Sequence, residues 1–313
     1  MNMVDNEQKG RALSIGAALL ASTIWGLQII YWKQLIPLPA SEILAHRVIW
    51  SFVLMTLFAL VIGRGPRVAA EFKNLLKDRS RSLWVLLGAV MTSLNWLINI
   101  WAINNDRVLQ SSFGSYISPL ISVLIGLVAL RERLSLWQLL AVLLVAAGIV
   151  NQAISHGSLP WVSLAVAGTF AVYGFCKKVS RLSAVSGMVI ETSLIAPAAL
   201  IYLAFLSAGG QAQPMTLSLT SLLLVGGGLM TIVPLLLFAF SVNSLPLSVA
   251  GLLQYLAPSL AFCLGVFVYH EPFSRAQLIS FGCTWTALFI FSLSRTRPML
   301  KLERLILDLL FRR

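Results

Sequence analysis

The chain has 313 residues, of which 58% are hydrophobic and only 11% charged, with a formal net charge of +12. Ordinary soluble domains carry about 25% charged residues, so these totals exclude a water-soluble globular enzyme or binding module and point to the bilayer as solvent. The basic excess does not mark a nucleic-acid binder, because Lys and Arg fall in short segments between long apolar runs and form no contiguous basic face.

A spanning helix needs roughly 20 mostly apolar residues. In chain order, such segments lie at about 14–36, 43–62, 83–103, 108–130, 136–154, 159–176, 185–206, 217–240, 245–269 and 276–294, which predicts an all-α integral membrane protein with ten transmembrane helices. The joints near Asn104–Asp106 and Asn243–Leu245 are short enough to hide one broken helix instead of two spans. The first run is too long for a signal peptide and is read as a retained helix.

Placing the N-terminus inside puts 19 of the 23 Lys and Arg residues on the inner side, with Lys33, Arg107 and Arg275 outside and Arg47 within a helix. This asymmetry predicts an N-in, C-in topology. The tail from Met299 to Arg313 mixes leucines with cations and reads as an interfacial helix on an anionic leaflet, with docking to a partner as the alternative. Cys176, Cys263 and Cys283 fall in or beside apolar runs and read as small buried hydrophobes.

The chain matches itself when displaced by 139 residues. Gly88 then meets Gly227, Thr92 meets Thr231, Asn104 meets Asn243, Tyr116 meets Tyr255, Pro119 meets Pro258, Glu132 meets Glu271, Ser135 meets Ser274 and Gln138 meets Gln277. The third to fifth segments thus map onto the eighth to tenth with opposite orientation. The implied division is a cytoplasmic N-terminus (1–13), two inverted five-helix repeats (14–154 and 155–294) and a basic amphipathic tail (295–313). Inverted repeats that exchange conformations give alternating access to a midplane site between the halves. The two Tyr-x-x-Pro elements predict breaks at Pro119 and Pro258, used as hinges or merely for packing.

Ionisable and polar side chains inside spans are costly and face protein or water. Glu42, His46 and Arg47 enter the second segment; Glu42 also suits a helix start, so capping competes with function there. A weaker echo of the repeat places Arg47 opposite Glu191. A structural salt bridge is one reading of that pair; anion binding by Arg47, or proton carriage by Glu191, is the other. Thr92, Asn95 and Asn99 recur at spacings of three and four, which suits a wet cavity face or interhelical hydrogen bonding. Trp25, Gln28, Ser115, Tyr116, Tyr173, Thr231, Gln254 and Tyr255 complete the candidate substrate cavity. Trp32 and Lys33 read as interface anchors. Glu132 and Glu271, at equivalent segment ends, read as makers of local ion pairs or turn hydrogen bonds, with alternating gates as the alternative. Gly226-Gly227-Gly228 reads as a site of close helix packing. No phosphate loop and no His-Glu-x-x-His pair occur, and nothing argues for a metal, a cofactor or catalysis.

Glu42-Ile43-Leu44-Ala45-His46-Arg47-Val48-Ile49-Trp50-Ser51, Asn95-Trp96-Leu97 with Trp101-Ala102, Ser115-Tyr116-Ile117-Ser118-Pro119-Leu120, Leu159-Pro160-Trp161, Tyr173-Gly174, Glu191-Thr192 and Gln254-Tyr255-Leu256-Ala257-Pro258 follow in order. Through these motifs residues 10–297 resemble the EamA-type drug/metabolite transporter superfamily, and within it the RarD branch of chloramphenicol-sensitive or chloramphenicol-resistance permeases. Phe113-Gly114-Ser115 departs slightly from that pattern, which has a second small residue before the tyrosine. The resemblance implies a bacterial inner-membrane permease, an exporter of small metabolites or amphipathic drugs; proton coupling is the expectation that Glu191 raises. A non-transporting scaffold or sensor and a membrane-embedded enzyme are the competing classes, and neither accounts for inverted copies with polar helix faces.

Overall fold

A chain buried in hydrocarbon has no water to satisfy its amides, so apolar runs of this length close their hydrogen bonds within helices. The computed structural model describes residues 2–129, 135–242, 245, 253–294 and 296–311, and among these every regular element is a helix. In chain order they are α1 (Asn2–Lys33), α2 (Ala40–Val61), α3 (Gly65–Lys77), α4 (Arg79–Asn104), α5 (Val108–Ala129) and α6 (Leu136–His156). There follow α7 (Trp161–Ser180), α8 (Ala184–Ala208), α9 (Leu219–Val242), α10 (Leu256–Cys263) with a π turn at Leu264–Val268, α11 (Arg275–Leu293) and α12 (Arg297–Phe311).

Nine of the described helices are long and apolar enough to cross a bilayer: α1 (over Ala12–Lys33), α2, α4, α5, α6, α7, α8, α9 and α11. Of the tenth expected segment, 245–269, the described part is helical at residues 253–254, turns at Tyr255 and continues as the shorter apolar stretch Leu256–Val268. The joint at Asn243 and residues 246–252 lie outside the described residues. Large apolar side chains such as Leu60, Ile201, Phe205, Leu222 and Phe289 are exposed on the bundle surface, as lipid-facing residues are. Cys263 is also exposed and Cys283 half-buried, so only Cys176 is the buried hydrophobe expected of all three.

Residues 64–81, between the second and third predicted spans, fold in part as α3. Val68, Phe72 and Leu75 recur at helical spacing, and Gly65-Pro66 opens the helix where a missing N–H costs nothing. Leu75 packs with Val85 and Ile190. Asp78 then accepts the Arg81 amide at 3.0 Å and starts α4. The tail forms α12, and it docks: Glu303 accepts the Leu136 amide at 2.6 Å, and Trp137 Nε1 donates to the Met299 carbonyl at 2.9 Å. Glu303 therefore sits on the otherwise unsatisfied first turn of α6.

Two helix starts share one local design. Ser135 and Gln138 form a capping box at α6, with bonds of 3.0 and 3.2 Å, and Ser274 and Gln277 form another at α11, with bonds of 2.7 and 3.2 Å. α6 packs on α11, α7 on α4 and α5, α2 on α8 and α9, and α1 on α9 and α10. The three consecutive glycines of α9 permit its approach to α1 and α2. A Cβ on Gly226 would lie 2.6 Å from the Tyr31 hydroxyl, on Gly227 3.3 Å from the Trp32 ring, and on Gly228 2.7 Å from the Trp50 backbone. The close packing expected there is what the fold contains.

Candidate functional site

Arg47 lies on α2 and is only 5% exposed. Its Nε donates to Thr231 Oγ1 on α9 at 2.9 Å, and the Thr231 hydroxyl donates in turn to the Gly227 carbonyl at 3.1 Å. The guanidinium carbon is 4.3 Å from the Trp96 ring centroid and 4.9 Å from that of Trp32, so the cation is flanked by two indoles. Trp32 is 1% exposed. It is a wall of this site and not the interface anchor its position near the end of α1 suggests, because Gly227 gives its ring room inside the bundle. Lys33 is likewise engaged, pairing with Asp106 and lying 5.0 Å over the Tyr269 ring.

The salt bridge that is one of the two readings of Arg47 and Glu191 does not form. Lys177 Nζ occupies one Glu191 oxygen at 2.8 Å, and the Tyr173 hydroxyl donates to the other at 3.3 Å. Lys177 belongs by sequence to a basic joint, but its ammonium turns inward past Gly187, where a Cβ would lie 2.6 Å from Nζ. A small cavity of about 10 Å³ lies beside Glu191, lined by Thr92, Trp96, Thr192 and neighbouring apolar groups. It has room for about one water.

Asn95 is buried on α4 and its Nδ2 donates to the Val166 carbonyl at 2.9 Å and to Thr169 Oγ1 at 3.0 Å. Asn99 donates back to Asn95 and accepts from the Ser111 hydroxyl. Both donor capacities of Asn95 are spent on α7, so this face ties helices together, while Thr92 lines the small cavity beside Glu191. Ser115 bonds its own helix, to the Ser111 carbonyl at 3.1 Å.

Tyr116 and Tyr255 stack, and the Tyr116 hydroxyl lies 2.6 Å from Ser259 Oγ. Pro119 sits inside α5. Pro258 is the third residue of α10, just past the turn at Tyr255, and its carbonyl accepts from Ser112 at 2.7 Å. The helix is therefore interrupted at Tyr255, and Pro258 occupies a first-turn position that tolerates proline. Trp25 packs on Phe238, with centroids 5.7 Å apart. The Gln28 Oε1 is buried with no partner among the described residues. His46 is buried and Gln254 half-buried.

Glu271 accepts the Val108 and Leu109 amides at 2.6 and 2.8 Å, capping α5 from a distant part of the chain. This replaces the local pairing expected of it; Ser274 and Gln277 satisfy each other instead. Burial pushes the Glu271 carboxyl above the usual glutamate range, while the Leu109 and Val108 amides and Lys33 pull it partly back. Its counterpart Glu132 lies outside the described residues. Glu42 accepts the Gln213 amide at 2.6 Å and so ties down the loop before α9 instead of capping its own helix. A larger cavity of about 640 Å³, lined by Pro37, Pro39, Leu97, Trp101, Asn104 and Trp161 among others, includes none of the predicted site residues. Sequence reasoning also missed Trp96 and Lys177 as partners, since neither aromatic identity nor a basic joint reveals which charge a side chain will face.

Nine described helices of spanning length, with charged side chains buried among them, define a polytopic membrane protein. Residues 12–151 match the EamA-like transporter family. The chain belongs to that family and is a multi-pass inner-membrane transporter. It is 43% identical over 276 residues to the uncharacterized transporter YojE of Bacillus subtilis, covering 88% of this chain and 91% of that one. It is 38% identical to the protein RarD of Escherichia coli over 88% and 92% of the two chains. A protein of Pseudomonas aeruginosa named chloramphenicol-sensitive protein RarD is 31% identical over 95% and 97%. One crystal structure shares the fold at 17% identity, with a TM-score of 0.58 over 92% of this chain and 99% of the other. The resemblance read from the motifs is thereby borne out.

Proposed function

We propose that the chain is a secondary transporter that exports small metabolites or amphipathic drugs by alternating access. It is built from ten spans in two inverted halves, 14–154 and 155–294, with both termini in the cytoplasm. The observation that carries this reading is the contact between Arg47 and Thr231. A buried cation of the first half is held by a hydroxyl of the second, so relative motion of the halves must remake its surroundings. The paired capping boxes at Ser135 and Ser274 and the stacked Tyr116 and Tyr255, all related by the 139-residue displacement, support the repeat. The substrate path runs past Arg47, Thr92, Trp96 and Thr231. Glu191, paired with Lys177 and touching the small cavity, is the proton carrier.

The test is two-sided accessibility. Cys176, Cys263 and Cys283 are replaced, a single cysteine is placed at Thr92, and membrane-impermeant maleimide is applied from either side of proteoliposomes. Alternating access predicts labelling from both sides, with the balance shifted by an imposed proton gradient. Labelling from one side only, whatever the gradient, would overturn the reading.

A further inference from the structure

Four charged side chains are buried among the described residues: Glu42, Arg47, Glu191 and Glu271. The three carboxylates are each answered by N–H donors. Glu42 takes the Gln213 amide, Glu191 the Lys177 ammonium, and Glu271 the amides of Val108 and Leu109. Arg47 differs. Its described partners are a neutral hydroxyl and two indole faces, and none of the ion pairs among the described residues includes it.

A buried cation without a counter-ion is expensive, several kcal/mol even after relaxation, and a membrane protein keeps one for use and not for stability. Both indole rings approach the guanidinium within 5 Å of its central carbon, at 4.3 Å for Trp96 and 4.9 Å for Trp32. Thr231 engages Nε, which leaves the terminal N–H groups to meet a planar two-oxygen group edge-on. Trp96 is shared between this clamp and the cavity at Glu191.

We propose that Arg47, clamped between Trp32 and Trp96, docks the anionic group of the transported solute, so that the substrate class is organic anions bearing a carboxylate or a phosphate monoester. This rests on the transporter reading and adds the charge of the cargo to it. Before solute arrives, the indole faces and Thr231 partly compensate the cation; on binding, the anion supplies the missing charge.

The experiment is thermal unfolding of purified protein in neutral detergent at constant ionic strength, with phenylacetate, phenyl phosphate and neutral phenylacetamide at equal concentration. The proposal predicts that at least one anion raises Tm, by about 2–4 °C or more near saturation, and that phenylacetamide does not. The preferred anion separates a carboxylate cargo from a phosphate cargo. Arg47→Gln abolishes the shift, and Arg47→Lys, which keeps the charge and folds if charge alone is needed, retains part of it. Equal shifts by phenylacetate and phenylacetamide, an undiminished shift in Arg47→Gln, or no shift by either anion overturns the proposal. Binding is read without flux, so loss of the anion site and failure of transport are told apart. Gradient-driven flux of neutral solutes with no anion shift would leave the transporter reading standing and remove this one.

Discussion

Tyr116 and Tyr255 lie nearly parallel, with ring centroids 6.2 Å apart and planes 17° apart. They are the two residues that the 139-residue displacement superposes, and equivalent residues meet in this way where they flank an axis relating two copies. The Tyr116 ring also meets Phe281 and Trp285 edge-on, with centroids 6.1 and 6.2 Å away. The contact thus joins the two proposed halves at an aromatic core.

Tyr116→Phe removes the hydroxyl bonded to Ser259 and keeps the stack. It should cost about 0.5–1.5 kcal/mol, and Ser259→Ala should cost a similar amount. Ser259→Ala also removes the bond from Ser259 to the Tyr255 carbonyl at 2.7 Å, so the double variant should be little less stable than Ser259→Ala alone. Additive losses in thermal unfolding would show that the bond carries no coupling.

Gly227→Val places methyl groups against a Trp32 ring already 3.3 Å from an added Cβ. Trp32 must move off Arg47. Binding of the anionic cargo should weaken about tenfold, equivalent to about 1.4 kcal/mol and within the range of a desolvated cation–π contact. Titration followed by tryptophan fluorescence measures it, and Gly227→Ala should show the smaller effect.

Lys177→Met leaves Glu191 buried without its cation and should lower stability, by less than the 3–5 kcal/mol of a fully buried pair because the Lys177 side chain is 30% exposed. The double variant Lys177→Met with Glu191→Gln should recover most of that loss. Glu191→Gln alone should abolish dependence of flux on a proton gradient. Persisting dependence in this variant would remove Glu191 as the carrier.

Glu71 on α3 accepts Arg67 Nε at 3.0 Å and the Ser183 amide at 3.3 Å, latching α3 to the turn before α8. Burial alone would raise its carboxyl; the Arg67, Ser183 and Ser186 hydrogen bonds outweigh that and hold it below the usual range. The stability from this latch is therefore complete above the unfolded value of about 4.3 and is lost as pH falls through the lower folded value. Unfolding followed from neutral pH downward should show the drop, and Glu71→Gln should flatten it.

The spans were legible because hydrocarbon imposes one requirement, a long apolar run, and the nine described crossings overlap the predicted segments. α3 was not, since its 13 residues are too short and too charged for that rule. Of the site, Arg47 and Glu191 stood out as charges where none is cheap. Their partners did not. Lys177 reaches Glu191 past Gly187, and Trp32 reaches Arg47 beside Gly227, where added side chains would crowd both. Such permissions belong to the packing of distant segments and leave no periodic signal. Asn95 and Asn99 were legible as a polar face, but whether that face meets water or α7 depends on the positions of the Val166 carbonyl and Thr169.

The most direct test is uptake into proteoliposomes holding purified wild-type protein or Arg47→Gln, with and without a proton gradient. The solutes are a mixed pool of amino acids, nucleosides, chloramphenicol-like amphiphiles and organic anions. The account predicts gradient-dependent accumulation of an anionic solute by the wild type and its loss in the folded variant. Folded wild-type protein that moves none of these solutes, or Arg47→Gln protein that moves them at the same rate, would contradict it.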